Sequence, residues 1–160
     1  MDDNRQDVQA VKERFNDFRE REKEIEYQAE AIEVLNNKLT GLGAMEITDM
    51  PRSPSPPKDR LTDLVNRKIE LEEELKSIIE EQAAERKAII KLLKKLKSAD
   101  ERGVIKFRYL LCLEWYDVNF SMFGAKEDFD EKEESYLRRV YNIHGRALIN
   151  IANYLESQKH

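Results

Sequence analysis

The sequence predicts an all-α protein: a long antiparallel coiled-coil hairpin followed by a small helical domain at the C-terminus. Three observations carry that prediction. Charged residues make up 38% of the 160 and hydrophobic residues 40%, with 5 Gly and 4 Pro, a mixture suited to long helices rather than sheets. Two stretches with sustained heptads flank a proline-rich segment. The aromatic residues concentrate after Phe107, which locates the compact core there and leaves the rest of the chain to bury a narrow seam.

The first helix is expected over about residues 5–40. Val8, Phe15, Glu22, Ala29 and Asn36 fall seven apart, and Val11, Phe18, Ile25, Ile32 and Leu39 take the alternate position. Most of these are apolar, over more repeats than the three or four that define a heptad stretch. Gly41 and Gly43 are expected to stop the helix. Residues 41–58 then form a loop, because in Met50-Pro51-Arg52-Ser53-Pro54-Ser55-Pro56-Pro57 the four prolines remove backbone donors and disfavour helical dihedrals in the residues before them.

The second helix is expected over about residues 59–97. Leu61, Lys68, Leu75, Gln82, Ile89 and Leu96 occupy one seam position, and Leu64, Leu71, Ile78, Glu85 and Leu92 the other. Polar groups interrupt both seams, at Glu22 and Asn36 and at Lys68, Gln82 and Glu85, so pairing across the hairpin is expected to fix its register. Similar lengths and a single connection favour an antiparallel hairpin, with homodimerisation through the same seams as the alternative. The hairpin thus occupies residues 1–97 and the second domain residues 98–160.

In that second domain, Ser98-Ala99-Asp100-Glu101 reads as a break and a new N-cap. Glu114-Trp115 opens a helix with Trp115, Val118 and Met122 on one face and Gly124 at its end. Acidic residues crowd positions 127–134, and Ser135 is expected to cap a final helix running to about Leu155.

The same residues argue against an enzyme. His144 and His160 are the two histidines, and no nucleophile elbow, phosphate loop or dinucleotide fingerprint occurs. Cys112 alone cannot form an internal disulfide, and its apolar neighbours suggest a small buried hydrophobe rather than a reactive thiol. No metal, cofactor or small molecule is therefore expected. With an acidic, polar N-terminus and no apolar run near the ~20 residues of a membrane span, the protein is expected to be soluble and cytoplasmic. The net charge of −5 argues against a surface that grips nucleic acid everywhere, though not against a local basic stripe.

Such a stripe is present in the last helix. Ser135, Arg138, Arg139, Asn142 and Arg146 share one face, opposite Leu137, Val140, Ile143, Ala147, Leu148 and Ile151. No carboxylate interrupts residues 135–148. A basic helix preceded by a short one is the arrangement a helix-turn-helix docks into the major groove, where Arg suits guanine and Asn suits adenine. The competing reading is that these arginines pair with the neighbouring acidic stretch.

From about Lys58 to Leu155 the chain carries an ordered series of motifs. A Pro/Ser-rich loop precedes Lys58-Asp59-Arg60-Leu61, and Ile69-Glu70-Leu71-Glu72-Glu73-Glu74-Leu75 follows. Then come Arg108-Tyr109-Leu110, Glu114-Trp115, Ser135-Tyr136-Leu137-Arg138-Arg139-Val140 and Ile143-His144-Gly145-Arg146-Ala147-Leu148. In these motifs the chain resembles the small phage late-transcription activators of the RinA/ArpU kind, whose C-terminal domain is similar to region four of sigma factors. The resemblance implies a DNA-binding regulator in a bacterial host cell that also contacts host RNA polymerase. By position, it implies that Ser135, Tyr136, Arg138, Arg139, Asn142 and Arg146 face DNA, while Tyr109, Trp115, Val140 and Leu148 are core. Two departures stand out: Val118-Asn119 replaces an Ile-Ala-like pair, and residues 125–134 enlarge the turn.

Those departures support an alternative from a different class. Glu127, Asp128, Asp130, Glu131, Glu133 and Glu134 form an acidic surface suited to the cationic channel of a host nucleic-acid-handling protein, such as a defence nuclease or RNA polymerase. The protein would then be a binding inhibitor rather than a DNA reader.

Overall fold

The computed structural model describes residues 2–46 and 58–159, with side chains for 4–42 and 60–159. Every regular element among the described residues is helical. In order these are α1 (Asp2–Glu46), α2 (Lys58–Leu93), α3 (Ala99–Ile105) continued by a π-helical turn (Lys106–Leu110), α4 (Trp115–Phe123) and α5 (Glu133–Gln158).

Three boundaries differ from the expectation. Helix α1 runs through Gly41 and Gly43 to Glu46. An interior glycine costs only about 1 kcal/mol relative to alanine, which a long helix absorbs. The part of the proline-rich loop at 47–57 lies outside the described residues. Helix α2 ends at Leu93, short of residue 97, because Lys95 and Leu96 donate three residues back, to Leu92 (3.0 Å) and Leu93 (3.1 Å). The chain then passes into extended Ser98, whose hydroxyl accepts from the Glu101 amide as the N-cap of α3. Finally, α5 begins at Glu133, not after Ser135, with Lys132 as its N-cap and no side-chain cap.

The chain divides into two compact units, Arg21–Gln82 and Met1–Glu20 with Ala83–His160. Within 21–82, the half-buried or buried positions of α2 are Leu64, Lys68, Leu71, Leu75, Ile78 and Gln82, the heptad read from the sequence except for exposed Leu61. In α1 the stripe slips by three residues. Ile25, Ile32 and Leu39 are half-buried as expected, but Gln28, Leu35 and Leu42 are half-buried beside them, while Ala29 and Asn36 are exposed. Leu35 and Leu42 offer more apolar surface than Asn36 and Gly43, and a three-residue slip of this kind locally overwinds a heptad seam. Gln82 Nε2 donates to Glu22 Oε1 at 3.0 Å, pairing two of the polar seam residues. Tyr27, Ala31, Val34 and Leu35 of α1 line an open groove of about 620 Å³ with Arg67, Glu70, Leu71 and Glu74 of α2.

The other unit holds two apolar clusters. In the first, Val11, Phe15 and Phe18 of α1 pack with Ile89, Leu92 and Leu96 from the end of α2, Ile105 and Tyr109, and Ala147, Leu148 and Ile151 of α5. Phe15 and Phe18 have no exposed surface. The core therefore does not begin at Phe107, as the aromatic distribution suggested; the first turns of α1 are one of its walls. The second cluster joins Val104, Val118, Phe123, Phe129, Val140 and Ile143, with Trp115, Met122 and Tyr136 at its margin. No helix is long and apolar enough to cross a membrane, among the described residues.

Candidate nucleic-acid interface

The position of α5 follows from its apolar spacing. Val140, Ile143, His144, Ala147, Leu148, Ile151 and Ala152 are buried, which turns the opposite face to solvent. Polar contacts pin the helix along its length. Near its start Asn119 Nδ2 donates to the Glu133 carbonyl at 3.1 Å, and further along Asn150 Nδ2 donates to Glu101 at 3.0 and 3.1 Å. Asn119 is thus a buried clamp between α4 and α5.

Of the residues assigned to the DNA-facing stripe, Arg138, Asn142 and Arg146 are exposed and have no side-chain partner among the described residues. Arg139 is also exposed, with its guanidinium 5.0 Å from the Phe123 ring centroid, a cation–π contact. Ser135 is exposed but sits inside the first turn of α5. Tyr136 does not join the stripe. It is half-buried against Phe123 and Phe129, at centroid distances of 5.1 and 6.0 Å, and its hydroxyl donates to Asp128 Oδ1 at 2.6 Å. One position out of phase with the arginines, it points toward the second cluster.

The acidic segment is anchored rather than loose. Phe129 is buried, and backbone bonds from Phe129 to Lys126 (3.1 Å) and from Lys132 to Asp128 (3.0 Å) shape the turn. Glu127, Asp130, Glu131 and Glu134 are exposed, whereas Asp128 and Glu133 are half-buried. The hydrogen bond from Tyr136 holds the Asp128 carboxyl below the usual carboxylate range, and the same bond pushes the Tyr136 phenol up. Lys132 Nζ lies 3.4 Å from Asp128 Oδ2. None of the three stripe arginines is paired with this segment.

Behind α5 lies a polar cluster that the sequence did not disclose. Tyr109 Oη is 2.7 Å from His144 Nε2, so the phenol donates when the neutral ring carries its proton on Nδ1. Burial, with Lys12 and Arg108 adding positive charge, lowers His144 from 6.5 to about 4, and burial raises Tyr109 to about 12. Trp115 packs edge-on against His144 at 4.8 Å and beneath the Arg108 guanidinium at 4.5 Å. Arg19, 6% exposed, donates to Glu114 at 2.9 Å and to the Cys112 carbonyl at 3.5 Å. Cys112 is half-buried rather than buried, and its φ of 58° turns the chain between the π-helical turn and α4. Among the described residues no group of three or more His, Cys, Asp or Glu is arranged to hold a metal ion.

A second basic surface lies outside the helical motifs. From Arg86 to Lys97 the chain has six cations and no carboxylate. Lys87, Lys91, Lys94, Lys95 and Lys97 are exposed, and the Lys95 ammonium lies 5.7 Å from the Tyr154 ring centroid. Counting charges in windows along the chain would have found it.

No family model, curated protein or solved structure matches the chain. Fold and surface alone define an all-α protein whose last helix presents an arginine face without neutralising carboxylates.

Proposed function

We propose that this protein binds DNA through the exposed face of α5 and acts as a phage or prophage transcription regulator. The observation that carries the reading is the row Arg138, Asn142 and Arg146, exposed and unpaired on a helix that is fixed along its length. Spacing of i, i+4 and i+8 sets them side by side, and their chemistry suits phosphate and the major-groove edges of guanine and adenine. The carboxylates at the first turn of α5 repel phosphate, so the middle of the helix, not its N-terminal turn, makes the contact.

In this reading α4, the turn at 124–132 and α5 act as a helix-turn-helix with an enlarged turn. The stretches of α1 and α2 within 21–82 act as an antiparallel coiled-coil arm whose Gln82–Glu22 bond sets register. The arm serves homodimerisation or contact with host RNA polymerase. Fluorescence anisotropy of the full chain on duplex DNA tests the proposal: salt-sensitive binding supports it, and no binding at about 50 mM salt overturns it.

A second reading is favoured by one observation. Tyr116 and Phe120 on α4 are 63% and 60% exposed, beside the acidic turn that Phe129 anchors. Exposed aromatics next to carboxylates suit the centre of a protein interface, as in an inhibitor of a host nucleic-acid-handling protein. A partner captured by wild type and lost with Tyr116→Ala and Phe120→Ala, without DNA binding, would favour that function.

A further inference from the structure

We infer that the exposed lysine ridge at the end of α2, Lys87, Lys91 and Lys94 with Lys95 and Lys97 beyond it, is a second contact for nucleic-acid phosphates. The inference rests on the DNA-binding reading of α5 and extends it to an element outside the helix-turn-helix.

Lys87 and Lys91 follow i, i+4 on one face of α2, and Lys94, just past its end and with its amide donating to the Ile90 carbonyl at 3.2 Å, continues the row, so neighbouring ammonium groups stand about one helical turn apart. Ile89, Leu92, Leu93 and Leu96 on the other side are buried in the first cluster, which fixes the ridge outward. The chain as a whole has 33 acidic and 28 basic residues, so carboxylates for pairing are plentiful. Yet Lys87, Lys91, Lys94 and Lys97 have no ion-pair partner among the described residues. Cations in the last turn do complement a helix dipole, but that effect fades within a turn and accounts for Lys91 rather than for the whole run from 86 to 97. An uncompensated row of lysines on an acidic protein matches a polyanion, and lysine's flexible point charge suits phosphate rather than base edges. The ridge therefore adds affinity and no sequence preference.

The test measures binding of the full chain to two duplexes of unrelated sequence between about 50 and 200 mM salt. Three variants are compared with wild type: Lys87→Gln/Lys91→Gln/Lys94→Gln, the same triple to Arg, and Arg138→Ala/Arg146→Ala. With each lysine contact contributing about 0.9 to the slope of log K against log salt, the Gln triple should flatten it by up to about 2.7 on both duplexes. The Arg triple should keep the wild-type slope, which separates charge from fold. A wild-type slope in the Gln triple overturns the ridge alone, leaving the α5 reading intact. A flattened slope in the Gln triple with none in the arginine pair supports the ridge and removes α5. Absence of wild-type binding at about 50 mM salt overturns both.

Discussion

Replacing Phe15 with alanine tests whether the start of α1 is structural to the C-terminal core. Phe15 has no exposed surface, and its ring lies 5.2 Å from that of Tyr109, which is itself buried. Truncating a buried phenylalanine to alanine costs about 3 to 5 kcal/mol through lost transfer energy and the cavity left behind. An aromatic pair adds about 0.5 to 1.5 kcal/mol beyond burial, so the upper part of that range is expected. For a protein of this size, each kcal/mol shifts the midpoint by about 2 to 4 °C, so about 4 to 5 kcal/mol gives a fall of roughly 8 to 20 °C. Circular dichroism melts at 222 nm measure it, with Tyr27→Ala as control, since Tyr27 is on the same helix but 73% exposed. A Phe15→Ala melt that overlays the Tyr27→Ala melt would refute the reasoning, and residues 1–20 would then be a dispensable arm.

Other outcomes follow from the same packing. His144 titrates near 4 folded and 6.5 unfolded, so the unfolded state binds more protons between those values and stability falls as pH drops through that window. The loss approaches about 3 kcal/mol by pH 4 and should shrink in His144→Phe, read from denaturant midpoints at several pH values. Glu114→Ala leaves nearly buried Arg19 with the Cys112 carbonyl at 3.5 Å, and should cost about 1 to 3 kcal/mol in the same assay. Gly124→Ala drives a methyl group into the Phe120 carbonyl and ring, so a loss of about 1 to 3 kcal/mol is expected from overpacking; an unchanged melt would contradict it.

Much of the helical framework was legible because period and breakers are local signals. The seam of α2, the N-cap at Ser98 and the start of α4 at Trp115 all follow from spacing and capping chemistry. What failed depended on partners distant in sequence. Phe15 and Phe18 look like ordinary heptad positions, and only the approach of Tyr109 and α5 makes them core. Gly41 and Gly43 looked like a stop, yet glycine penalises a helix without forbidding it. A motif match places Tyr136 on the stripe, whereas its helical phase aims it between the stripe and the apolar face. The arginine face itself was readable, since amphipathic periodicity separates Arg138 and Arg146 from Val140 and Ala147. The Tyr109–His144 link was not, because 35 residues separate the pair.

The most direct test of DNA recognition by α5 is the affinity of Arg138→Ala/Arg146→Ala for duplex DNA relative to wild type. Arg138 and Arg146 are the right pair because neither carries a fold contact, whereas Arg139 also packs over Phe123. The account predicts an unchanged melt, binding weakened by about tenfold or more per arginine, and a salt slope flattened by roughly 1.8. Wild-type affinity and slope in the double variant would contradict it.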